Sequence, residues 1–198
     1  NMKEVIFFSK NEGKSLEILN LFKKEKIKII NLNDLEKVRS PKENGVSFEE
    51  NAKIKSSYGL KYFMLACFAD DSGICINAMN GKPGINSKNF LEKHKDPNFV
   101  FNKIFNVVKK NKNNKAFFKT SICLSLEKNK NIYFNGIIKG TITDSPRGKG
   151  GFGYDPIFIP NGYNRTFAEM TTKEKNVISH RSIAINKLKK YLTSLSLL

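Results

Sequence analysis

Tryptophan is absent from this chain, cysteine occurs three times, and acidic residues are about half as common as basic ones. Each shortage excludes something. The lack of tryptophan is no lack of core material, since 16 phenylalanines and a hydrophobic share of 39% argue against disorder along the chain. Cys67, Cys75 and Cys123 form no C-x-x-C pair and each sits among apolar neighbours, so they read as buried thiols of an intracellular protein, not as a disulfide or zinc framework. No apolar run approaches the ~20 residues of a transmembrane helix. Nothing near the start resembles a secretory signal, and Asn1 ahead of Met2 reads as an added residue before the native start. The expectation is a soluble, cytoplasmic protein. At 198 residues it is most simply one domain, 1–198, with room for a subordinate lobe.

The scarcity of acid leaves 35 Lys and Arg against 18 Asp and Glu, a formal charge of +17. Such a balance suggests a polyanionic partner, nucleic acid or nucleotide. A nucleic-acid module would concentrate the charge. Here lysine runs from end to end and mixes with asparagine, as in Lys109-Lys110-Asn111-Lys112-Asn113-Asn114-Lys115, which points to a compositional bias. Either way the field favours approach of a polyphosphate.

Against that background the few carboxylates stand out. The run Met64-Leu65-Ala66-Cys67-Phe68-Ala69-Asp70-Asp71-Ser72-Gly73 passes from an apolar segment into two adjacent acids. An apolar run bounded by a turn signal predicts a buried strand, and in α/β sheets ligands bind at the carboxyl ends of strands. Adjacent strand residues point to opposite faces, so one of Asp70 and Asp71 faces the site while the other holds backbone or a lysine behind it. Two readings stand at this point: an acidic turn that ends a strand, and a metal or general-base site.

Around this run, Lys3 to Phe8 predicts a strand, Ser9 to Lys14 a polar loop, and Ser15 to Lys24 a helix with Leu16, Leu19, Leu21 and Phe22 at helical spacing. Gly13-Lys14-Ser15 is no P-loop, because Phe8 stands where that motif needs its first glycine. Backbone donors at a helix start, with Lys10 and Lys14, still make an anion-binding corner. Ile27 to Leu32 predicts a second strand, followed by a polar connection, Asn33 to Gly45, that carries Glu43. Phe48 to Tyr62 predicts a helix with Asn51 and Lys55 on a polar face. Ser87 to Lys93 and Asn98 to Lys110 read as helices, and Ala116 to Leu126 with Ile132 to Ile142 as a long antiparallel hairpin. Gly148-Lys149-Gly150-Gly151-Phe152-Gly153 satisfies G-x-G-x-x-G, but Pro156 and Pro160 exclude the helix a dinucleotide fingerprint requires. The glycines suggest backbone lying against a ligand, with Phe152 or Tyr154 to stack on a flat ring, or simple flexibility. Lys175, His180 and Arg181 fall in a polar stretch before a final helix, Ser182 to Leu192, that Ser179 could cap.

Taken in order, Ser9-x-Asn11-x-x-Lys14, Phe48-x-Glu50-Asn51-Ala52-x-x-Lys55, Ala69-Asp70-Asp71-Ser72-Gly73, Pro83-Gly84, Gly151-Phe152-Gly153-Tyr154-Asp155-Pro156 and Phe167-Ala168-Glu169-Met170 with Glu174-Lys175-Asn176-x-x-Ser179-His180-Arg181 resemble the inosine triphosphate pyrophosphatase family, the Ham1/RdgB-like enzymes. The motifs span nearly the whole chain. The resemblance implies an α/β fold with a long mixed twisted sheet and helices, two lobes flanking a central nucleotide cleft, and a homodimer. It implies hydrolysis of non-canonical purine nucleoside triphosphates (ITP, dITP, XTP) to the monophosphate and pyrophosphate, with Mg2+ as cofactor and Mn2+ as substitute.

Carried over by motif, Ser9, Asn11 and Lys14 hold phosphates, with Lys10 of the anion-binding corner beside them, Lys55 adds charge, and Glu43 with Asp71 bind the metal. Asp71 also looks like the base that activates water, and Ser72 contacts substrate. Phe152, Gly153, Tyr154, Asp155, Lys175, His180 and Arg181 enclose and read the base. The chain departs from the bacterial pattern after Pro83-Gly84, where Ile85-Asn86-Ser87-Lys88 replaces a tyrosine and arginine segment and puts Lys88 forward as a contact. Two other readings remain beside this one: a Maf-like pyrophosphatase of modified nucleotides, and a non-catalytic nucleic-acid binder, which would have no use for Asp70-Asp71 in its groove.

Overall fold

The computed structural model describes residues 4–196; Lys3, the first residue of the expected first strand, lies outside them. Strand β1 (Glu4–Phe7) buries Val5, Ile6 and Phe7 and pairs in parallel with both β2 (Lys28–Asn31) and β3 (Cys67–Ile76). Parallel neighbours need crossovers, supplied here by helices α1 (Glu12–Phe22) and α2 (Phe48–Phe63). Both helices start on a side-chain cap: Lys14 N donates to Asn11 Oδ1 at 3.0 Å, and Glu50 N to Ser47 Oγ at 3.1 Å. After α3 (Ser87–Glu92) and α4 (Pro97–Asn111) come β4 (Lys115–Glu127) and β5 (Lys130–Ile142), then β6 (Phe158–Pro160), α5 (Thr172–Ile178) and α6 (His180–Ser196). The strand order is β2-β1-β3-β4-β5-β6, with β5 and β6 antiparallel, so the α/β class with a mixed sheet is borne out. Lys128 and Asn129 alone join β4 to β5, a link long enough only for an antiparallel hairpin, and Asn129 takes the positive φ of 65° that such turns demand.

The described residues up to Asp71, with Thr120–Gly136 and those from Arg181 on, form one compact unit. Its core gathers Val5, Phe7, Ile18, Phe22, Phe68, Ile122, Leu124, Ile185 and Leu188. Ser72–Lys119 and Ile137–His180 form the second, around Ile74, Ile76, Ile104, Phe118, Ile157, Phe158 and Phe167. In the second unit α4 buries Val100, Phe101, Ile104 and Val108, one stripe of the helix, while its lysines stay outside.

Four expectations are corrected. Helix α1 begins at Glu12, not Ser15, so Lys14 sits in its first turn; its buried face is Ser15, Glu17, Ile18 and Phe22, and Leu16 is 70% exposed. The apolar run is not all strand, because Met64 closes α2 in the left-handed conformation and it and Leu65 are exposed. Nor does β3 end at the acids: it runs through Asp70 and Asp71 to Ile76. A strand can continue through buried carboxylates when other segments bring each a partner, and the sequence of the strand alone does not show those partners. Finally, α6 begins at His180, which puts His180 and Arg181 in its first turn and not in a loop ahead of it.

Candidate active site

The first unit collects most of the charged residues singled out in the sequence. Ser9 and Asn11 shape the turn from β1 into α1, where Asn11 N donates to Ser9 Oγ at 3.2 Å and Asn11 caps the helix through Lys14 N. Lys10 is exposed in the same loop. The cap aims Lys14 at β3, and its Nζ lies 3.0 Å from Asp70 Oδ2. From α2, Lys55 Nζ donates to the Asp70 carbonyl at 2.5 Å and pairs with Glu43 Oε1 at 3.2 Å. Asn51, one turn earlier, donates through Nδ2 to Asp71 Oδ2 at 3.2 Å. Asp70 is fully buried; its Oδ2 also meets Thr120 Oγ1 at 3.5 Å and lies 3.8 Å from Arg181 Nε, while Arg181 Nη1 pairs with Glu17.

Two neighbouring acids on one strand thus have different work. Asp70 is enclosed by cations. Asp71 has an amide for its hydrogen-bond partner, and burial pushes its carboxyl from 3.8 up to about 6, with Lys55 and Lys14 pulling it back and Asp70 and Glu43 adding to the rise. A carboxylate held near neutrality in this way is suited to take a proton from water. Burial pulls the Lys14 ammonium below its ordinary value; Asp70 opposes this, and Lys55 and Arg181 reinforce it.

Among the described residues no group of three or more His, Cys, Asp and Glu side chains is placed to hold a metal ion. Asp71 and Glu43 are near enough for each to feel the other's charge. Two hard oxygen donors with no thiol or imidazole do not suit zinc. They do suit a cation such as magnesium, which takes one or two carboxylates and fills its remaining positions with water and substrate phosphates.

The second unit holds a smaller constellation. Lys175, buried on α5, donates to Asp155 Oδ2 at 2.7 Å, and Phe152 N donates to the same oxygen at 3.0 Å. The Lys175 ammonium lies 4.7 Å from the Phe152 ring centroid and 5.6 Å from that of Phe167. Gly151, at φ 67°, brings the loop in so tightly that a Cβ there would fall 2.1 Å from Asp155 Oδ2, so any other residue would strain the backbone and push Asp155 off its partners. Phe152 is partly exposed and Gly153 exposed, so this edge of the loop is open to solvent.

Tyr154 does not present its ring as expected. It is 5% exposed, packs against Phe101, and donates its hydroxyl to the Ser87 carbonyl at 2.6 Å, with burial pushing the phenol's pKa up. His180 and Arg181, grouped as base readers in the sequence, are parted because consecutive helical residues project about 100° from one another. His180 stacks on Phe118 at 4.8 Å in the second unit, while Arg181 is held by Glu17 and Asp70 in the first. Ser72 is half-buried next to Asp71 on β3, and Lys88 is exposed on α3. The sequence pointed to a lysine behind one of the two acids, and Lys14 on Asp70 is that pair; it did not show Glu17, Thr120 or Arg181 as further partners around it. A glutamate three residues beyond Lys14 and next to buried Ile18 was the available signal for Glu17.

A model of the Ham1 family matches residues 5–191. A dITP/XTP pyrophosphatase from Flavobacterium johnsoniae is 39% identical over 96% of this chain and 98% of its own length. One from Halalkalibacterium halodurans is 38% identical over 96% of the chain and all of its own length. Among solved structures, a HAM1 protein from Coxiella burnetii superposes with a TM-score of 0.88 at 35% identity, covering 98% of this chain and 100% of that one. The Staphylococcus aureus Ham1 protein gives 0.85 at 33% identity over 97% and 99%.

Proposed function

Because this chain belongs to the Ham1 family, we propose that it hydrolyses non-canonical purine nucleoside triphosphates, dITP, ITP and XTP, to the monophosphate and pyrophosphate, and so cleans the nucleotide pool. The observation that carries the reading is Asp71, a buried carboxylate held by the Asn51 amide, raised to about 6 by burial and close enough to feel the charges of Lys55 and Lys14. Asp71 takes a proton from the water that attacks the α-phosphorus; the new P–O bond forms as the bond to the bridging β-oxygen breaks. The ammonium groups of Lys14 and Lys55 oppose the charge that grows on the departing pyrophosphate, the term that dominates phosphoryl and nucleotidyl transfer. Ser9, Lys10, Asn11 and the first-turn amides of α1 bind the phosphates. Magnesium, which manganese can replace, would be held by Asp71 and Glu43 and would supply further neutralisation of the triphosphate.

In the second unit, Phe152 offers a ring face and Lys175 a buried donor for an oxo-purine edge, with Gly153, Asp155 and His180 around them. A 6-oxo group accepts such a donor, whereas adenine presents an amino group that would leave buried donors unpaired, a mismatch worth on the order of 10⁴-fold. Ser72 and Lys88 complete the proposed contacts.

Three buried free thiols support a reducing, cytoplasmic setting, and among the described residues no helix is long and apolar enough to cross a membrane. We assign a homodimer as the assembly, supported by exposed Tyr62, Met64 and Leu65 around the end of α2. The test of the activity is a nucleotide panel with magnesium. Release of pyrophosphate from dITP and XTP but not from dATP is expected; orthophosphate as the product would refute the mechanism.

A further inference from the structure

Asn51 is 3% exposed, and both ends of its amide face groups of fixed polarity. Nδ2 lies 3.2 Å from Asp71 Oδ2, which as a carboxylate only accepts, and Oδ1 lies 2.8 Å from the Gly45 amide, which only donates. Its orientation therefore follows from chemistry alone. The carboxamide serves both neighbours at once, its NH2 toward the acceptor and its oxygen toward the donor.

On the Gly45 side the fit is close. A Cβ on Gly45 would fall 2.8 Å from Asn51 Oδ1 and 2.7 Å from Glu50 Cβ. Two further links follow in register: Val46 N donates to Glu50 Oε2 at 2.8 Å, and Glu50 N to Ser47 Oγ at 3.1 Å. The residues just after Glu43 are thus fastened to the first turn of α2, and Lys55 on the same helix meets Glu43 at 3.2 Å. On the Asp71 side the amide engages Oδ2 and so fixes the orientation of the carboxylate.

We propose that Asn51 is a positioning residue that sets the distance between Asp71 and the loop bearing Glu43, so that the two carboxylates address one divalent cation. It touches neither substrate nor reacting atoms and acts through the two acids, a role whose loss in metal sites usually reduces affinity or activity 10- to 100-fold. The proposal rests on the reading of Asp71 and Glu43 as a metal pair, and its test has a readout independent of turnover.

Manganese binding to the free protein, followed by electron paramagnetic resonance, is compared in wild type and Asn51→Leu, together with kcat and KM for dITP. The expected result is about tenfold weaker manganese binding and a kcat lower by about 10- to 100-fold, with KM changed less than about threefold. Gly45→Ala, which pushes the same link from the other side, shifts manganese affinity in the same direction. Wild-type manganese affinity and kcat in Asn51→Leu, with Asp71→Asn inactive, overturn the proposal and leave the nucleotide reading intact. Weakened manganese binding in a chain that releases pyrophosphate from no nucleotide supports the positioning role and removes the substrate assignment. Should Asn51→Leu not fold, Asn51→Asp keeps the shape and the acceptor for Gly45 but turns a second acceptor on Asp71; a lowered kcat supports the role, and a wild-type kcat overturns it.

Discussion

Each unit buries a lysine against an aspartate, but the surroundings differ. In the second unit Lys175 and Asp155 make a near-complete neutral pair, 8% and 5% exposed at the side chain, closed by the Phe152 amide and by aromatic rings. In the first, Lys14, Lys55 and Arg181 face Asp70, Asp71, Glu43 and Glu17, and Asp71 is left with its proton affinity raised. A closed pair supports the fold around it and, in the proposed reading, presents a modest donor to a flat ring. A crowd of charges with one carboxylate under strain is poised for a polyanion and a cation, and the fold is less stable for holding it.

The contrast is broken most severely by removing the proposed base. Asp71→Asn should lower pyrophosphate release from dITP by about 10³-fold, within the range for loss of a general base. In wild type, kcat/KM should climb with pH across about 6 as Asp71 loses its proton, measured in a three-buffer series. Next in size is the other unit: Lys175→Met leaves Asp155 buried without its counter-ion, and stability should fall by about 3 kcal/mol in urea denaturation, accompanied by loss of preference for dITP over dATP.

Neutralising the first unit should act with the opposite sign on stability. The folded value of Asp71, about 6, lies above the ordinary 3.8, so the folded state binds the proton more tightly than the unfolded one. That contribution is whole below about pH 4 and is lost as pH rises through 6. Ionised Asp71 therefore costs the fold up to about 3 kcal/mol at pH 7, and Asp71→Asn in chelator should melt several degrees above wild type at pH 7 and no higher at pH 4. Smallest of all is the exposed pair of Arg165 and Glu174. Arg165→Gln should leave both activity and melting temperature nearly unchanged, as solvated ion pairs contribute little.

What could be read from the sequence was local. The hairpin of β4 and β5 and the alternation of strands with helices follow from turn residues and periodicity that lie within a few positions of each other. The glycine loop was rightly denied a dinucleotide role because two prolines settle the matter on the spot. Partnerships across the chain could not be seen in this way. Arg181 and Glu17 stand 164 positions apart, and nothing near either one marks the other. Tyr154 looked available for stacking because aromatic residues beside glycines often are; its hydroxyl instead found the Ser87 carbonyl 67 positions away, and the ring went into the core. The two acids looked like the end of a strand for the same reason, since the lysines and the amide that let β3 continue come from α1 and α2.

The uninterrupted course of β3 has a consequence for how the protein can vary. Pleating fixes Asp70 and Asp71 on opposite sides, so deletion of a single residue upstream in the strand would exchange the counter-ion of Lys14 with the acid that faces water, and no compensating rotation is open to an inner strand. Length changes should be tolerated at Lys128-Asn129, where the chain merely turns, and should be lethal to turnover anywhere between Cys67 and Asp71.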